Sequence, residues 1–121
     1  MHFLLLIYHQ EANYTKMNES DRHAMFGEYV KLVEELKSRQ QYLGGHQLQL
    51  TNTAATIRVR DGQKLVTDGP FAETKEQLGG YFLVDAKDEE DARGIAARIP
   101  AARHGSIEVR PVVVMAQAGA A

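Results

Sequence analysis

The apolar positions of this chain fall into short runs of different period, and the periods predict an alternation of strands and helices. His2-Phe3-Leu4-Leu5-Leu6-Ile7-Tyr8-His9 is almost continuously apolar, as in a strand covered on both faces, whether inside one domain or at a dimer interface. Glu11 to Met17 is polar and without period, and reads as a loop. From Asn18 the period changes to that of a helix. Asn18 suits an N-cap, Asp21 suits the positive end of the helix dipole, and Met25, Phe26, Tyr29, Val33 and Leu36 make an apolar stripe with Val30 and Leu32 at its margins. Gly44-Gly45 is the latest point at which such a helix ends.

Leu48 to Thr53 reads as a short strand or extended connection. Thr56 to Arg60 alternates, with Ile57 and Val59 on one face and Arg58 and Arg60 on the other. Asp61-Gly62 then supplies the residues of a type I′ hairpin turn, returning along Gln63 to Thr67. Neither period is sustained from Asp68 to Gly80, which reads as a loop. Tyr81 to Ala86 is a buried strand. Asp88 caps a second helix whose core stripe is Ala92, Ile95, Ala96 and Ile99, and Pro100 ends it. The last strand is Ile107 to Val114, and Pro111, which cannot donate a ladder hydrogen bond, predicts that it lies at a sheet edge or is bulged there. This order predicts an α+β fold of the ferredoxin-like split βαβ kind.

A chain of 121 residues has room for one domain, placed at residues 1–115 with a flexible tail at 116–121. Hydrophobic residues at 44% and charged residues at 25% indicate a folded chain rather than a disordered one. A net charge of −2 gives no electrostatic reason to expect nucleic acid or an anionic membrane as partner. Without cysteine, disulfides, thiolate nucleophiles and cysteine-ligated metal sites are excluded. The apolar run of the first strand is too short to span a bilayer and follows no basic segment, so a cytoplasmic protein is expected.

The candidate chemistry lies mainly in histidines and in the Asp68–Gly80 segment. His23 sits in the first helix turns, at the margin of the apolar stripe, and imidazole suits proton transfer near neutrality. Asp68 ends a strand, where Gly69-Pro70 fixes its direction; it serves either as a cleft carboxylate or as the acceptor in an Asx turn. His9 and His46 are expected at a cleft edge. Arg58 and Lys75 offer positive charge to an anion, or simply keep their surfaces solvated. Phe71 either stacks on a ligand or packs its loop onto the domain. Five histidines without cysteine or an H-E-x-x-H pattern indicate no metal site. Gly79-Gly80 lacks the order of a phosphate-binding motif, so no nucleotide cofactor is expected.

The string Val66-Thr67-Asp68-Gly69-Pro70-Phe71-Ala72-Glu73-Thr74-Lys75-Glu76-Gln77-Leu78-Gly79-Gly80-Tyr81 resembles the signature of DGPF-domain proteins, within the YCII-related family. Phe3 to Tyr8, Val59-Arg60-Asp61-Gly62 and Gly105 to Pro111 also resemble the family pattern. The resemblance implies a dimeric α+β barrel with a cleft between helices and sheet. It further implies one of two roles. The first is a cofactor-free acid/base enzyme of lyase or isomerase type, using a His–Asp pair on a small molecule, with His23 resembling the family's histidine. The second is a non-catalytic metabolite-binding or regulatory module associated with an extracytoplasmic-function sigma factor.

Overall fold

The computed structural model describes residues 1–114, so the expected tail at 116–121 lies outside the described residues. Strand β1, His2–His9, holds the centre. Its apolar run serves two faces in alternation. Phe3, Leu5 and Ile7 are buried, whereas Leu4, Leu6 and Tyr8 are half-buried on the other side. On one flank β1 pairs antiparallel with β5, Gln77–Asp85, and on the other with β6, Ser106–Pro111. Strand β2, Tyr42–Gln47, extends the sheet beyond β5, giving the order β2-β5-β1-β6. Pro111 thus falls on an edge strand, which stops there rather than running to Val114.

Helices α2, Glu19–Ser38, and α3, Glu89–Ala97, cover the face carrying Phe3, Leu5, Ile7, Phe82 and Val84. Asn18 and Asp88 cap them, each side chain accepting from the backbone N–H three residues on at 2.8 Å. The stripe of α3 is as its period predicts, with Ala92, Ile95 and Ala96 buried. That of α2 is rotated. Leu32 and Leu36 carry the burial, Tyr29 and Val33 pack beside them, and Phe26 is 63% exposed. Only the second half of α2 therefore seats on the sheet. Its first turns stand off and leave a space below.

Two local expectations change. Residues 11–16 are a helix, α1, Glu11–Lys16, with no buried residue. Its start is held from a distance: the Glu11 N–H donates to Gln77 Oε1 at 2.9 Å, and the Glu11 carboxylate accepts from Thr51 N–H and Oγ1 at 2.7 and 2.8 Å. Residues 51–53 form a 3₁₀ turn rather than a strand. Helix α2 ends at Ser38, within the limit expected from Gly44-Gly45, and those glycines lie inside β2.

The hairpin is built on the expected turn, with φ of 51° at Asp61 and 74° at Gly62. Its strands, β3 Ala55–Arg60 and β4 Gln63–Asp68, pair only with each other. The irregular segment is shorter than expected, since β5 already begins at Gln77.

The expected ferredoxin-like dimeric α+β barrel is corrected. The protein is a mixed α+β fold with two sheets, and neither closes. β2 and β6 each bond to one neighbour only, and the hairpin adds no strand to the larger sheet, so two edges stay apart.

Candidate functional site

A cavity of about 240 Å³ lies under the raised first half of α2, bordered by the ends of β1, β2 and β5. Ile7, Met25, Phe26, Tyr29 and Phe82 make an apolar lining. Into this wall are set His9, Tyr14, Arg22, Tyr42 and His104. No Asp or Glu among the described residues lines it.

His9 reaches the cavity because strand alternation carries it to the helix side, after Phe3, Leu5 and Ile7. Opposite it the β1–β5 register shifts. Ile7 faces Gly80 and Tyr8 faces Leu78, which leaves Gly79 as the extra residue of a bulge. A Cβ at Gly79 would collide with the His9 ring. A Cβ at Gly80 would stand 2.8 Å from the His46 carbonyl oxygen. The Gly79-Gly80 pair therefore serves close approach, by a side chain and a backbone respectively. Tyr14, from α1, sets its ring 5.7 Å from that of His9 at 54°. Neither nitrogen of His9 has a hydrogen-bond partner among the described residues. Because no buried polar side-chain atom among the described residues lacks a partner, those nitrogens keep some solvent access, with Nε2 seated against Gly79.

The phenols on the apolar side are shaped by burial. Burial pushes the Tyr29 hydroxyl above its ordinary pKa, against a smaller opposing hydrogen bond from the Ala101 backbone. Burial also raises Tyr42, helped by the neighbouring Tyr81. Edge-on contacts of Tyr29 and Tyr42 with Phe82, at 6.2 and 5.5 Å, fix both rings. Both present neutral hydroxyls at neutral pH.

Of the residues singled out in the sequence, His9 and His46 border the cavity. The His46 ring, however, turns to the opposite sheet face. It pairs with Tyr81, which lies across from Leu6, and its Nδ1 is 2.8 Å from the Tyr81 hydroxyl. His23 is exposed on α2 and does not line the cavity. Asp68 is exposed at the end of β4, away from the cavity lining, and no hydrogen bond joins it to His23 among the described residues. Arg58 is exposed on β3, Lys75 is exposed in the 69–76 segment, and Phe71 is 78% exposed. The sequence reading missed Arg22, Tyr14 and Tyr42 as lining residues and assigned Tyr29 wholly to the core. Among the described residues no group of three or more His, Cys, Asp or Glu side chains could hold a metal ion.

A single chain with this open α+β frame and an imidazole-bearing cavity defines a small pocket protein. The YCII-related domain model matches residues 1–116, and the chain belongs to that family. A curated relative, an uncharacterised protein of Rhizobium meliloti (strain 1021), is 46% identical over 66 residues. That match covers 53% of this chain and 53% of the relative, so the chain spans about half the length of the curated relative it matches. No helix among the described residues is long and apolar enough to cross a membrane.

Proposed function

We propose that the protein binds a small organic molecule in this cavity and moves a proton on it with His9, as a lyase or isomerase needing no chemistry beyond imidazole and phenol. His9 carries the reading. Its ring lines the cavity between Gly79 and Tyr14, and neither of its nitrogens is tied to a protein partner among the described residues. An imidazole so placed satisfies the first demand on a general base, which is reach. Neutral Tyr29 and Tyr42 hydroxyls can donate to oxygen on the same ligand. His9 takes the part expected of His23, because His9 lines the cavity and His23 does not. The test is deuterium incorporation from D2O into a panel of small carbonyl compounds and organic acids, followed by proton NMR. Exchange that is lost in His9→Ala and kept in His23→Ala supports the reading. Exchange surviving His9→Ala rejects it.

One observation favours a second, non-catalytic reading. A histidine base is commonly oriented by a carboxylate, and none lines this cavity. As a metabolite-binding module, the protein would present its hairpin to a protein partner such as a sigma factor, since Ile57, Val59, Leu65 and Val66 are all exposed there. Binding without exchange is the result that would select this reading. In either case we place a second copy of the chain against the open sheet face, where Leu4, Leu6, Tyr81 and Leu83 are apolar and no described helix covers them. The Asp68-Gly69-Pro70-Phe71 string supports assignment to the DGPF branch.

A further inference from the structure

We infer that the cavity selects organic anions, holding a carboxylate or an equivalent oxyanion at Arg22 and an apolar, single-ring-sized body against Phe26, Tyr29 and Phe82. The inference rests on the reading of this cavity as the ligand site. Arg22 differs from the other arginines of the described residues. Arg93, Arg98, Arg103 and Arg110 are exposed, each in an ion pair with a glutamate. Arg39, Arg58 and Arg60 have no ion pair among the described residues, but they are exposed and water solvates them. Arg22 alone is half-buried, and it has no carboxylate partner among the described residues.

A guanidinium that is partly withdrawn from water and left without a counter-charge is unfavourable unless an anion joins it. The acidic groups nearby are otherwise placed. Glu11 accepts from Thr51, Glu28 pairs with Arg103, and Asp21 is exposed on the helix end that Asn18 caps. With no carboxylate among the described lining residues, the Arg22 guanidinium gives the cavity its positive charge. Its volume of about 240 Å³ falls below the roughly 300–1,000 Å³ of drug-sized sites. Its aromatic walls suit a flat apolar body. A guanidinium at the rim would then set the carboxylate, and the ring would lie inward toward His9.

The test uses benzoate and phenylacetate with their uncharged amides, benzamide and phenylacetamide. Binding is followed by titration calorimetry and by the imidazole NMR signals of the full chain. Each carboxylate should bind at least ~10-fold tighter than its amide in the wild type. Arg22→Gln should bring the pair within about twofold, and Arg22→Lys should restore part of the preference. Circular dichroism confirms that both variants fold. The inference is overturned if no carboxylate in the panel outbinds its amide, or if the preference survives Arg22→Gln. A ligand-induced change at His9 in those cases leaves the proposed function standing. An Arg22-dependent preference without any change at His9 would instead keep the anion site and reject the role given to His9.

Discussion

His9 and Gly79 share one volume. The imidazole lies where a side chain on Gly79 would stand, so the bulge in β5 and the ligand-facing histidine of β1 are one construction. The backbone of Gly79 is outside the left-handed region, and alanine is strained there only by the ring itself. That ring is the far end of a side chain that can swing aside. Gly79→Ala is therefore expected to lower stability by only about 1 kcal/mol, at the low end of overpacking. Proton exchange at the site should fall by ~100-fold because its base is displaced. Thermal unfolding beside the deuterium assay separates the two effects.

Gly105 is the contrasting case. A Cβ there would drive into the Tyr8 carbonyl oxygen and approach that of Ala101 at 3.2 Å. Tyr8 is fixed in the β1–β6 ladder, and the Gly105 N–H itself donates to Ala101 at 2.7 Å. Nothing flexible can yield. Gly105→Ala is expected to destabilise by roughly 1–3 kcal/mol in urea unfolding. His9, which faces a different glycine, should keep its chemistry in the folded fraction.

The acid limb of stability follows from an ion pair behind the cavity. Arg103 donates to both Glu28 oxygens at 2.8 and 2.9 Å, and these hydrogen bonds hold the Glu28 carboxyl below its ordinary value of 4.5. The unfolded chain then binds the proton more readily than the folded one. The contribution is present above about pH 4.5 and fades as pH falls through the lower folded value. Wild type should exceed Glu28→Gln in unfolding midpoint at neutral pH by a small margin, as for exposed pairs generally. That margin should shrink in acid, and a constant margin down to about pH 2 would contradict the assignment.

At the alkaline end the sign reverses. Tyr29 and Tyr42 are raised above their ordinary value of 10.0, mainly by burial. Their protonated forms stabilise the fold, fully so below pH 10.0, and this is lost as pH rises through the folded values. Phenolate absorbance should include a component that titrates late and coincides with unfolding. Tyr29→Phe should remove part of it.

What the sequence disclosed was local. Asn18, Asp88 and Asp61-Gly62 act through neighbours within three residues, so the helix starts and the hairpin turn could be read directly. Helix α1 could not, because its six residues bury nothing and its first residue is held by Gln77 and Thr51. The site was legible only in part. His9 was singled out, but its freedom depends on a glycine in another strand. Arg22 resembled any polar residue near a helix start, and its value lies in the raised first turns of α2, which no period encodes. Asp68 and Phe71 were conspicuous because the segment breaks periodicity, yet the fold leaves both exposed.

The most direct measurement is a histidine-selective NMR titration of the isotopically labelled protein with benzoate, each imidazole assigned by substitution. The expected result is that the His9 ring signals move in a saturable way while those of His23 stay in place. Saturable movement at His23 with His9 silent would contradict the placement of the site beside Gly79.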